Sequence, residues 1–193
     1  LKESAKRNKN IIAIEQSLFQ QAIKQDNKLS FNPTPQGFWY AYQKKNNTNR
    51  VLPKKGDRVT FKYRIEDLNG NLLYDEKELG NVTFFIDQED LIPALREGVK
   101  YLRSGEIGVF LFPSYLCYGY QGDGDKVGIN EPLRFTIELL NLEKNYPLGL
   151  MGVEKLVKYN GMLTRADIVL YTSEGKPNMI VECKAPKVKI TQD

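Results

Sequence analysis

Two stretches of strict alternation constrain what this chain folds into. Val59, Phe61, Tyr63 and Ile65 alternate with Thr60, Lys62, Arg64 and Glu66; far downstream, Leu133, Phe135, Ile137 and Leu139 alternate with Arg134, Thr136 and Glu138. A period of two sends successive side chains to opposite faces, so both segments predict half-buried strands. Between them, Asn69-Gly70 is a hairpin signal, and short strands are expected at 72–74, 82–86 and 107–112. Asp90-Leu-Ile-Pro93 predicts the start of a short helix, with Pro93 in its first turn and Gly98 at its end. Residues 113–132 read as one long Gly- and Tyr-containing loop, and long loops in compact domains usually carry function. Several strands with one short helix between them predict an antiparallel α+β domain.

The flanks are different in kind. Residues 3–27 predict an amphipathic helix with Ile11, Ile14, Leu18 and Ala22 in its apolar stripe, widened by Ile12, Phe19 and Ile23. Residues 28–36 read as a linker, 37–42 (GFWYAY) as an aromatic strand and 43–50 as a loop. The net charge of +4 conceals +6 on residues 1–50, −4 on 51–144 and +2 on 145–193. Without interleaved Arg and aromatic residues, the basic arm reads as a solvated helix, and no nucleic-acid partner is expected. The sequence contains no histidine, which excludes His-based triads and His-ligated metals. The two cysteines, Cys117 and Cys183, fall in segments assigned to different units, so no disulfide framework is expected.

Five blocks then resemble one family in order and spacing. They are LPKKGDRVTFKY, DLNGNLLYD, DLIPALREGVKYLRSGE, FPSYLCYGYQG and LRFTIELLNLE. Together they are similar to the FKBP-type peptidyl-prolyl cis-trans isomerases over about residues 51–144. The resemblance implies a curved antiparallel sheet around one short helix, with an X-Pro-binding pocket between them. It implies pocket roles for Tyr63, the pair Tyr74 and Asp75, the pair Leu91 and Ile92, and for Leu95, Tyr118 and Phe135. Leu95 stands where many members have Trp, and Val82 where a Phe is often found. Both departures shrink the aromatic surface, lowering the expected affinity for macrolide inhibitors and the expected rate.

The chemistry agrees with these residue types. Rotation about an X-Pro bond faces a barrier of ~20 kcal/mol because amide resonance must be broken. The twisted amide has less charge separation than the planar one, so a dry apolar pocket favours it. No nucleophile, base or cofactor is needed. In this reading Tyr74, Ile92, Leu95 and Phe135 cage the prolyl ring, flanked by Val82 and Leu91. Tyr118 donates to the substrate carbonyl, and Asp75, near Tyr63, orients the rotating group. On periodicity alone Tyr63, Ile92, Leu95 and Phe135 are core residues, Asp75 a strand-end carboxylate and Tyr118 a loop anchor. Proline-containing polypeptides are the implied partners, and a monomer is expected. A binding module of the same fold with little catalysis is the alternative.

The arm of helix and GFWY strand is similar to the gliding-motility-associated branch of bacterial FKBP lipoproteins. That resemblance implies a cell-envelope location with a lipidated cysteine and any export signal upstream of Leu1; a chain without export would stay in the cytoplasm.

Residues 145–193 read as a separate unit. MGVEKLVKYNGMLTRADIVLY and GKPNMIVECKAP resemble the PD-(D/E)xK nuclease fold, in particular the N-terminal domain of type I restriction subunits. A two-residue turn at Glu174-Gly175 would set Asp167 opposite Glu182, with Lys184 on the same face. Two carboxylates and a lysine suit a Mg²⁺-dependent phosphodiesterase. The segment stops after the third strand of that fold, so the expectation is a β-rich appendage without a functional metal site, joined near Lys144-Asn145.

Overall fold

The computed structural model describes residues 2–48, 51–145, 151–159, 162–171 and 177–181. The chain divides into two units, Leu1–Lys144 and Asn145–Asp193. The first opens with helix α1 (Lys2–Gln25). It continues through β1 (Asn32–Pro33), β2 (Trp39–Lys44), β3 (Arg58–Glu66), β4 (Leu72–Tyr74), α2 (Glu76–Leu79), β5 (Val82–Phe85), α3 (Pro93–Gly98), β6 (Ile107–Phe112) and β7 (Leu133–Glu143). The strands form one curved antiparallel sheet in the order β1-β2-β6-β7-β3-β4, and β5 pairs with β3 along the edge that β4 uses. This is the expected α+β architecture, with α3 as the short helix over the sheet.

The alternation in β3 is realised directly. Val59, Phe61, Tyr63 and Ile65 are buried, while the residues between them are not. β7 lies against β3 with Ile65 opposite Phe135 and Tyr63 opposite Ile137. The core therefore grows from two strands facing the same way. Each fully buried large apolar side chain contributes roughly 1.5–3 kcal/mol.

α3 ends at Gly98, as expected, but the glycine does more than close the helix. It lies inside α3 with φ −61°, and the chain continues into a 3₁₀ turn, Val99–Tyr101. A Cβ here would lie 2.9 Å from Phe112 Cζ and 3.1 Å from Ile137 Cδ1, so glycine lets the helix approach the sheet. The hairpin also differs from a simple two-residue turn. Only Gly70 has positive φ, at 87°, and the Asp67 carboxylate accepts the backbone N–H groups of Asn69 and Asn71. Asp67 thus closes a longer loop from the inside.

The buried face of α1 is rotated from the expected stripe. Glu15, Phe19 and Ala22 face the domain, whereas Ile14 is 60% exposed and Leu18 lies at the margin. Glu15 explains the rotation in part: its Oε2 accepts the Ser114 backbone N–H at 3.2 Å. Phe19 and Ala22 pack with Leu111, beside Phe31 and Trp39. The aromatic segment forms β2 from Trp39 onward, which pairs with β1 and β6, so the arm adds strands to the sheet.

The second unit contains β8 (Met151–Tyr159), β9 (Met162–Tyr171) and β10 (Pro177–Val181), an antiparallel sheet in the order β10-β9-β8. Ile168 pairs with Val181, after an irregularity between Pro177 and Met179. Asp167 lies on β9; Glu182, Lys184 and the Glu174-Gly175 turn lie outside the described residues.

Candidate active site

A single apolar cluster gathers the cage residues. Tyr63 on β3 and Phe135 on β7 stack with ring centroids 6.1 Å apart and planes at 5°. Phe112 meets Phe135 edge-on at 5.4 Å. Leu95 is 1% exposed on α3. Pro93 starts that helix, and the Ile92 carbonyl accepts N–H groups from Leu95 and Arg96, which fixes Ile92 at the helix mouth. Tyr74, Val82, Leu91, Ile92 and Tyr118 are partly buried against the same cluster. Rings on neighbouring strands, a helix start beside them and a loop tyrosine at the edge form one apolar cluster with few polar groups, the composition usual for a small-ligand site.

Tyr118 carries a protonated hydroxyl beside this cluster. Its phenol is pushed well above the ordinary value by burial, reinforced by Tyr63, Asp123 and other neighbours. Burial also raises Tyr63. Both hydroxyls stay protonated, and among the described residues neither hydroxyl has a hydrogen-bond partner. An unpaired, protonated O–H at the edge of an apolar cluster keeps its proton free for donation.

Asp75 caps a helix. Its Oδ1 accepts the backbone N–H groups of Lys77 at 2.9 Å and Glu78 at 2.7 Å, making it the N-cap of α2. The structure does not join it to Tyr63 by a hydrogen bond. The four-residue α2, EKEL, was missed in the sequence because it is too short to show a period.

The rim was also missed. The Tyr74 hydroxyl donates to Asp123 Oδ2, and Lys126 Nζ sits 4.3 Å from the Tyr74 ring centroid. Lys126 also pairs with Glu78 at 2.7 Å, linking the β6–β7 loop to α2. Asp123 Oδ1 accepts the N–H groups of Asp125 and Val127, folding the loop on itself. The bond to Asp123, together with burial, raises the Tyr74 phenol to about 12. Burial alone would raise Asp123; its hydrogen bonds from Tyr74 and the backbone outweigh that and hold it below the ordinary carboxylate value. The only hint in the sequence was the loop's length.

A separate cavity of about 540 Å³ lies between α1 and the β6–β7 loop, and Tyr118 borders both it and the cage cluster. Among the described residues no group of His, Cys, Asp or Glu is arranged to hold a metal, and no helix is long and apolar enough to cross a membrane.

The fold and cage define an FKBP-type domain, and comparison with known proteins agrees. The family model described as FKBP-type peptidyl-prolyl cis-trans isomerase matches residues 49–140. FK506-binding protein 2 of Dictyostelium discoideum is 32% identical over 93 residues, 48% of this chain and 70% of that protein. The probable FKBP-type peptidyl-prolyl cis-trans isomerase FkpA of Neisseria meningitidis is 38% identical over 91 residues, 47% of this chain and 33% of that protein. The chain thus spans about a third of the length of that relative. The crystal structure of FkpA from Escherichia coli matches with a TM-score of 0.55 at 23% identity, covering 72% of this chain and 64% of that one. The chain belongs to the FKBP-type peptidyl-prolyl cis-trans isomerase family. Residues 134–193 match a second model, described as type I restriction enzyme R protein N terminus. That match begins inside β7, whose first residues belong to the isomerase sheet.

Proposed function

We propose that the chain accelerates cis–trans isomerisation of X-Pro bonds in polypeptides. The prolyl ring enters the cage of Tyr74, Ile92, Leu95 and Phe135, with Val82 and Leu91 at its side. Removing water there favours the twisted amide, whose charge separation is lower. Tyr118 donates to the substrate carbonyl, and Asp75 adds a fixed negative charge near the rotating group while capping α2. The observation that carries this reading is the unpaired, protonated Tyr118 hydroxyl beside a dry ring cluster. An isomerisation assay on a proline-containing peptide tests it. Faster cis-to-trans conversion is expected; a folded sample that gives no acceleration at high concentration overturns it.

A second reading is a binding module with little catalysis, favoured by the short aliphatic Leu95 at the cage floor. Leu95→Trp separates the two: a gain in rate or affinity identifies the missing aromatic as the limitation. An envelope location is supported by similarity to a protein named outer membrane protein MIP, from Legionella longbeachae, 30% identical over 93 residues. Fractionation of cells making the native protein tests it; recovery in the cytosol would count against it. We further infer that the 145–193 unit holds no working nuclease centre. DNA cleavage with Mg²⁺ that disappears in Asp167→Ala would contradict this.

A further inference from the structure

We infer that the cavity between α1 and the β6–β7 loop is a second substrate subsite, which takes the uncharged, apolar stretch of polypeptide flanking the proline held in the cage. The inference rests on the isomerase reading, because the proline in the cage is what brings that stretch to the cavity.

Continuity comes first. Tyr118 lines this cavity and also packs against the cage cluster, as does Cys117. A chain whose proline sits beside Tyr118 must leave the cage past a neighbouring surface, and the cavity is such a surface. Its volume, about 540 Å³, falls within the ordinary range for ligand pockets.

The lining sets the chemistry. Ile11 and Ile12 of α1 form one wall, and Tyr115 and Tyr120 of the loop contribute to the other. Among the described residues, no charged side chain lines it. Gln121, whose Nε2 donates to the Tyr120 hydroxyl, and Asn130 also line it and supply neutral hydrogen-bonding groups of the kind an extended peptide backbone can meet. Apolar walls with a few neutral hydrogen-bonding groups suit an uncharged peptide segment, and a charged one would be desolvated without a partner.

The cavity is also built in advance. Gln16 of α1 donates from Nε2 to the Gly37 carbonyl and accepts from Trp39 Nε1, so the helix is held against β2. Glu15 receives the Ser114 N–H at the start of the loop wall. The Tyr115 hydroxyl donates to the Gln36 carbonyl, and the Asn130 N–H donates to the Gly119 carbonyl at 2.7 Å. Walls fixed on both sides spare a ligand the cost of ordering them. Ile12 at 43% and Tyr120 at 76% exposure remain open to solvent, so a polypeptide can reach them.

The test uses the 193-residue chain and three peptides sharing one X-Pro bond: a short blocked one, a longer one with apolar flanks and a longer one with acidic flanks. Exchange NMR gives kcat/KM, and fluorescence anisotropy with labelled peptides gives Kd. The wild-type chain should prefer the apolar-flanked peptide to the short one by roughly tenfold in both. Ile12→Lys, at an exposed position, should abolish that preference and leave the short peptide unchanged; Tyr120→Ala should weaken it. A preference that survives both variants, or an equal loss on short and long peptides, overturns the subsite. So does a change of oligomeric state in Ile12→Lys without a change in peptide affinity, which would mean that a second copy covers the cavity. If no peptide is isomerised, the isomerase reading fails, while the Kd series still decides whether the cavity binds the flanking chain.

Discussion

In the cage, Tyr63, Leu95 and Phe135 are at most 9% exposed and stand on strands and a helix whose positions follow from hydrophobic period. At the rim, Tyr74, Asp123 and Lys126 are linked by a hydrogen bond and a cation–ring contact across a loop with no period at all. The cage depends on packing, which is cooperative and large in energy. The rim depends on polar contacts near solvent, which are individually small. Damage to the cage should therefore unfold the domain as well as silence it, and damage to the rim should adjust the site while the fold stands.

The largest effect is expected at Phe135. Phe135→Ala removes a fully buried ring that contacts Tyr63 and Phe112, and should cost about 3–5 kcal/mol in urea unfolding, with loss of isomerisation. A loss below about 1 kcal/mol would show that the cage is not part of the core.

Asp75 has an observed capping role and a proposed electrostatic one, and two variants divide them. Asp75→Ala should cost about 1 kcal/mol through the lost N-cap and should lower kcat/KM. Asp75→Asn keeps a capping oxygen, so stability should hold while kcat/KM falls. A wild-type rate in Asp75→Asn would leave Asp75 with capping alone.

Glu15 gives a pH signature away from the cage. Burial raises its carboxyl above the ordinary 4.5 despite the hydrogen bonds from Ser114, and its Oε1 is buried without a partner. The unfolded chain releases this proton first, so the Glu15 contribution favours folding below pH 4.5 and is lost as pH rises from there through the folded pKa. Glu15→Gln should remove that decline from the stability-versus-pH curve, as followed by urea unfolding. Parallel curves would show that Glu15 is not the group responsible.

The smallest effect is expected at Tyr74. Tyr74→Phe loses the bond to Asp123 and keeps the ring in the cage, so melting temperature and kcat/KM should change only slightly. A large loss of rate would move the rim into the catalytic machinery.

This contrast also explains what could be read in the sequence. β3 and β7 were legible because Val59 to Glu66 and Leu133 to Leu139 alternate without a break, and one buried face then orders the sheet. Leu95 and Phe135 were legible as core residues from their apolar faces, while the pocket roles expected of Ile92, Leu95 and Phe135 came only from the resemblance of the five blocks. The role of Gly98 was not, because closeness to Phe112 and Ile137 is a tertiary fact. The rotation of α1 was not, because a buried glutamate, Glu15, occupies the inward face and Ile14 the outward one. Asp123 and Lys126 were not, because their contacts depend on how the loop folds back over β4 and α2.

The central claim is that an apolar cage with one donating hydroxyl, that of Tyr118, performs the isomerisation, and exchange NMR on the wild-type chain and Tyr118→Phe tests it most directly. The wild-type chain should accelerate cis–trans exchange of an X-Pro peptide, and Tyr118→Phe should lower kcat/KM roughly tenfold, the equivalent of one hydrogen bond, with an unchanged unfolding curve. Equal rates in the two proteins would contradict the donor role assigned to Tyr118, and no exchange enhancement in either would contradict the account of the cage itself.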